Sequence, residues 1–169
     1  MAELMDEALQ AVQALEDADE DELFRQLGLR MKAIERDPSI AGQFAPSRAA
    51  LEPMGMSLGD VIAAGRNAFS RLSQSGYGLL CSGGPVQGGH FDAFMATLGT
   101  NRMAITAGLA TLLVGSIGIA PAIAGVLATL AIGKAAPASL QAICTVWGAK
   151  AGYASSGTTG ASQPAAGAS

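Results

Sequence analysis

The sequence predicts an all-α fold, a small helical protein in which amphipathic N-terminal helices precede a C-terminal hydrophobic helical hairpin. Three observations carry this reading: apolar residues recur at helical spacing through the first 36 positions, the 31 residues from Met103 to Gly133 hold no charge, and Pro121 divides that stretch into two arms. The chain has 169 residues, half of them apolar and only eight aromatic, which is enough for one compact domain and too little for two substantial ones. Charged residues make up 14%, against a usual share of ~25%, so the chain is neither a solvated disordered polymer nor an ordinary charged surface protein.

Residues 3 to 16 place Met5, Ala8, Leu9, Val12 and Leu15 on one helical face, with acids and Gln opposite. A second amphipathic helix follows. Asp19, Glu20, Asp21 and Glu22 cluster where a helix N-terminus favours negative charge, Leu23, Phe24, Leu27, Met31 and Ile34 form the apolar stripe, and Asp37-Pro38 ends it. Gly28 weakens this helix without abolishing it. These acidic helices make up segment 1–37. Segment 38–56 is a connector in which Pro38, Pro46 and Pro53 prevent long regular structure, with at most a turn around Arg48 to Leu51.

Segment 57–101 holds a central helix and a Gly-rich loop. Ser57 and Asp60 approximate a capping box, and Leu58, Val61, Ile62, Gly65, Phe69 and Leu72 continue at helical spacing to about Gln74. Six glycines between Gly76 and Gly89 predict a loop or a broken helix end, after which Phe91 to Leu98 reads as a short helix. Segment 102–151 is the hydrophobic hairpin plus a last helix. Segment 152–169, poor in anything to bury, reads as a disordered tail.

The uncharged run contains 13 Ile, Leu, Val or Met residues, eight Ala and five Gly, and it exceeds the length at which a membrane span is considered. Gly118 offers a helix C-cap and Pro121 a helix start, so two arms joined by a tight corner are expected in preference to one kinked helix. Leu109 to Gly115 recurs as Leu127 to Gly133 with five of seven positions identical. Small residues fall at every fourth position, Ala107, Thr111 and Gly115 (with Gly108 beside them) in the first arm and Gly125, Thr129 and Gly133 in the second. Such stripes allow backbones to approach closely, which places Gly115 and Gly125 face to face across the corner at Pro121. Arg102 and Lys134 bracket the run, and Trp147, with Lys150 and Tyr153 behind it, reads equally as an interfacial anchor or a core Trp.

Charge is divided unevenly: residues 1 to 60 carry 13 acids and five bases, whereas 61 to 169 carry Asp92 against five bases. No Lys/Arg patch suits a phosphate backbone, so nucleic acid is not an expected partner. The N-terminus shows no amino-terminal export signal, and cytoplasmic synthesis with free thiols is the expected state of Cys81 and Cys144. One His and two Cys cannot supply a dedicated zinc cage. A Cys81–His90 nucleophile pair lacks a third orienting group, Gly76-Tyr-Gly78 lacks the rest of a phosphate loop, and Asp17, Asp19 and Asp21 lack the Gly and Glu of a calcium loop. No catalytic residue, cofactor, metal or small-molecule substrate is expected.

The leading expectation is therefore a non-enzymatic, membrane-associating protein whose hairpin inserts into or perturbs a bilayer, a small bacterial toxin or defence effector with its acidic half as a docking or restraining module. Colicin-type pore-forming toxins use a comparable uncharged hairpin. Membrane lipid is the expected partner, and deletion of Met103 to Lys134 should leave a soluble, partly helical acidic fragment. The alternative is a soluble all-helical adaptor or assembly module whose hairpin is core or oligomer interface, bound to a protein partner or to copies of itself.

Overall fold

The structure, a computed structural model, describes residues 2–47, 50–51, 55–81, 89–133, 137 and 139–151. Among them are seven α-helices, α1 (Ala2–Ala14), α2 (Glu20–Arg36), α3 (Leu58–Cys81), α4 (Gly89–Thr97), α5 (Arg102–Ile117), α6 (Pro121–Ile132) and α7 (Leu140–Ala151), with a short 3-10 helix at Pro38–Gly42 and no strand. The all-α reading holds. The predicted tail, Lys134, Tyr153, Pro53 and the residues Arg48 and Ala49 of the expected connector turn lie outside the described residues.

Local chemistry sets most helix ends. The Asp19 carboxylate accepts from the Glu22 backbone N–H at 2.8 Å, so the first of the clustered acids caps α2 and does not open a metal loop. Asp37 closes α2, then accepts from the Ser39 backbone to start the 3-10 helix, with Pro38 in its first turn. Asn101 caps α5 through the Ala104 N–H at 2.9 Å. Gly118, at φ +71°, takes the left-handed conformation that ends α5, and Pro121 begins α6 three residues later. The Arg102 side chain donates to the Gly133 carbonyl at 3.4 Å, joining the start of α5 to the end of α6. The uncharged run is thus two helices folded back on each other.

That hairpin is the centre of the molecule. Every residue from Ile105 to Leu113 and from Ala122 to Ile132 is buried. α1 packs on both arms, α4 on α5, and α2 and α7 on α6. The faces they turn inward are the stripes visible in the sequence, such as Ala8 and Val12 of α1 with Leu15 just beyond it, or Leu23, Phe24 and Leu27 of α2. A second, smaller apolar cluster of Leu29, Ala33, Ile40, Leu51 and Val61 holds the connector against α2 and α3.

α2 and α3 cross at the closest approach in the fold. A Cβ on Gly28 would meet the Val61 carbonyl oxygen, and one on Gly65 would overlap the Phe24 carbonyl oxygen. Gly28 therefore supplies the contact surface for a neighbouring backbone, in addition to weakening its own helix. Phe24 then packs edge-on against Phe69, and the Arg66 guanidinium lies 4.4 Å above the Phe24 ring.

Three expectations are corrected. Cys81 and Cys144 form a disulfide across 63 residues, joining the end of α3 to α7, so neither is a free thiol. The segment from Gly76 to Cys81 is helical and not part of a Gly-rich loop, because Gly76 lies directly under the Trp147 ring and packing outweighs its low helix propensity. The acidic half is also less independent than expected: α1 and α2 bury apolar residues on the hairpin, so removing Met103 to Lys134 removes part of what they pack against.

The α2–α3 crossing yields a test. Ala normally improves a helix over Gly by up to ~1 kcal/mol. At Gly65 the added Cβ strikes backbone that cannot yield, so Gly65→Ala should lower stability by ~1 to 3 kcal/mol in urea unfolding. Gly78→Ala on the same helix, where an added Cβ would meet no atom of the described residues within 4 Å beyond its own helix backbone, should be neutral or stabilising. Equal effects at the two positions would show that α2 and α3 can separate freely.

Candidate functional site

The candidate site is the enclosed hairpin and the contacts that close it. Its small residues do not serve the contact assigned to them. Gly115 is exposed near the end of α5, whereas a Cβ on Gly125 would face Ala11 of α1 and Phe44 of the connector, both at 3.9 Å. Gly115 and Gly125 are therefore not partners across the corner. Gly108 turns toward α4, where a Cβ would come within 3.2 Å of the Thr97 side chain. At Gly108 the missing side chain lets α4 approach the hairpin closely, whereas at Gly125 α1 and the connector lie at ordinary contact distance.

Thr111 and Thr129 occupy equivalent places in the internal repeat, and each returns its hydroxyl to its own helix. Thr111 donates to the Gly108 carbonyl at 2.9 Å and Thr129 to the Gly125 carbonyl at 2.7 Å. Both hydroxyls are thereby satisfied within an apolar interior. Pro121 sits half-buried in the first turn of α6, and Gly133 caps its end at φ +69°.

At the open end of the hairpin three bases from residues 61 to 169 meet acids of the α1–α2 turn and of the first turn of α2. Arg102 lies 3.8 Å from Glu16, Lys150 lies 3.2 Å from Glu20, and Arg66 lies 2.9 Å from Asp21. The opposite charge of the two halves is resolved here. Pairs this exposed are worth ~0 to 1 kcal/mol each, so they set register more than stability. Lys150 is accordingly an ion-pair partner at the end of α7, and Trp147 is a core residue without any solvent exposure, not an interfacial anchor. Its indole N–H donates to the Ser73 hydroxyl at 3.0 Å and its ring meets Tyr77 edge-on.

Arg30 is the unexpected member. It is 5% exposed, and its Nη1 donates to the Phe44 carbonyl at 2.9 Å and to the Ala122 carbonyl at 3.0 Å, tying α2 to the connector and to the first turn of α6. Nη2 reaches the Gln26 side chain at 3.4 Å, and Nε finds no partner among the described residues. No carboxylate pairs with it there. Desolvation pushes its pKa down to about 10, so the guanidinium is still charged at neutral pH. A positive group beside the positive end of a helix dipole adds to that penalty. The sequence carried a signal for it: Leu23, Leu27, Arg30 and Ile34 follow i, i+4, i+7 and i+11, which puts Arg30 on the buried face.

Of the alternative chemistries, the thiol–histidine pair loses its nucleophile to the disulfide, and the His90 side chain lies outside the described residues. Asp19 caps and Asp21 pairs with Arg66. Among the described residues no three His, Cys, Asp or Glu side chains form a group that could hold a metal ion.

The buried charge yields a sign-definite prediction. The folded-state value of Arg30 lies below its unfolded one, so its burial penalty is fully present below about 10 and is relieved as pH rises through that value. The stability difference between the wild-type chain and Arg30→Met should therefore be constant near neutrality and move in favour of the wild type above about pH 10. Taking the difference cancels the other groups that titrate there. A flat difference to pH 12 (about the usual guanidinium range) would mean that Arg30 keeps its contact with water.

Comparison with family models, with curated proteins and with solved structures gives no match to this chain.

Proposed function

We propose that this protein is a non-enzymatic helical binding or assembly module whose hydrophobic hairpin serves as its core. The observation that carries this reading is the unbroken burial of α6 from Ala122 to Ile132, held at its first turn by Arg30 and at its last carbonyl by Arg102. An element enclosed on every side and fastened at both ends leaves only by dismantling the core around it. Its length supports the same reading. The 12 residues of α6 rise ~18 Å and the 16 of α5 ~24 Å, against ~30 Å for a bilayer core, and no helix among the described residues is long and apolar enough to cross a membrane. Activity then belongs to the outer surface. There Glu3, Asp6, Glu7, Asp17 and Asp19 are all exposed on α1 and the turn after it, which favours a protein partner with a basic face.

A second reading, in which the hairpin perturbs a bilayer, is favoured by one observation. Neither arm has a polar face, so an opened hairpin lying in a lipid interface would bury the surface that the wrapping helices now cover.

Flotation separates the two. The module reading expects the full chain to remain monodisperse without detergent and to stay at the bottom of a density gradient with vesicles of zwitterionic lipid and with vesicles carrying anionic lipid. Co-flotation with either vesicle would overturn it in favour of bilayer association.

A further inference from the structure

α7 is the one wrapping helix fastened to the rest of the fold by a covalent cross-link, and its fastenings lie along one edge. Cys144, in its second turn, is bonded to Cys81 at the end of α3. Three residues on, Trp147 fills a slot in α3 made by the missing side chain of Gly76, where a Cβ would come within 2.5 Å of the ring, and by Ser73, whose hydroxyl accepts the indole N–H. Gly148 gives the Tyr77 ring the same close access, at 3.1 Å. At the end of the helix Lys150 pairs with Glu20. α7 also packs on α6, whose own residues are all apolar or small, and the buried Ile143 joins Trp147 in the main core.

We infer that the Cys81–Cys144 disulfide is a reducible latch that holds α7 as a lid over α6. Both cysteines are half-buried, not sealed in the core, so a small thiolate can approach the bond. A dithiol reductant attacks one sulfur, the S–S bond breaks with formation of a mixed disulfide, and the second thiol of the reductant displaces the protein sulfur. The protein gains two electrons and two protons as two thiols, and the reductant leaves as its own disulfide. With the latch closed, the cross-link holds Trp147 opposite its slot at high effective concentration. With it open, the seat depends on noncovalent contacts alone, the indole hydrogen bond, the ring contacts, the buried Ile143 and the Lys150–Glu20 pair, so α7 should detach locally more often while α1, α2, α4 and α5 keep their packing. The inference goes beyond either reading of function, since it concerns the state of the fold and not the partner that senses it.

Trp147 is the only tryptophan, so its fluorescence reports the seat of α7 directly. The experiment compares the oxidised full chain, the same chain reduced with dithiothreitol, and the Cys81→Ser/Cys144→Ser double variant, with free thiols counted in each. Acrylamide quenching of Trp147 and hydrogen exchange resolved by helix are the readouts. The latch predicts no free thiol in the oxidised chain and two after reduction without denaturant. Quenching should rise in both the reduced chain and the variant, and exchange in α7 should quicken on the order of tenfold while α5 is unchanged. Four results would each overturn it: two free thiols in the chain purified under air, a disulfide that reacts only after denaturation, unchanged quenching and exchange, or loss of protection in all helices together. The last would make the cross-link a support of the whole fold and not a catch on one helix.

Discussion

A helical hairpin with no polar face has to be enclosed on all sides, and the rest of this fold answers that constraint. A single amphipathic neighbour covers only a stripe of such a pair, so several helices are required, each contributing one apolar face and turning its charges outward. α1, α2, α4 and α7 meet this need from four separate parts of the chain. Enclosure also explains the composition of the hairpin. Gly108 lies where α4 presses close on the hairpin, and the Thr111 and Thr129 hydroxyls are satisfied by carbonyls of their own helices.

The second constraint is distance between layers. α2 can lie on α6 and still pack against α3 because Gly28 and Gly65 let two backbones approach to contact. Arg30 on α2 then reaches the first turn of α6 and the connector with one guanidinium group, an arrangement that suits its planar set of donors better than a Lys. Burying that charge without a carboxylate is expensive, and it fixes how α2, the connector and the hairpin are oriented to one another.

Helix ends were legible because they are written locally. Asp19, Gly118, Pro121 and the Asp37-Pro38 pair each act within a few residues of their own position, so sequence alone places them. The hairpin was legible for the same reason. What escaped were features whose meaning lies in a distant partner: Gly76 reads as a breaker until Trp147 is placed over it, and the stripe through Gly115 and Gly125 does not say which neighbour it faces. The disulfide is the clearest case. Two cysteines 63 residues apart allow a single pairing, but whether they pair depends on how α7 returns to α3. Arg30 follows the inward periodicity, but a charge at such a position reads as an exception to the apolar stripe. The function was least legible of all, because an apolar hairpin has the same composition whether a protein shell or a lipid phase covers it.

The order in which the chain emerges during synthesis gives the enclosure a further cost. α1 and α2 come first, yet the surfaces they cover belong to α5 and α6, about a hundred residues downstream for α1. Until those arms appear, the amphipathic helices have no core to close upon, and when the hairpin arrives it is apolar throughout. Contacts of such long sequence separation slow folding relative to a bundle of sequential neighbours. A cell making this protein has to keep one half of it from aggregating while it waits for the other, and the acidic outer face of α1, with Glu3, Asp6 and Glu7 and no base, is well placed to do so by repulsion between nascent chains.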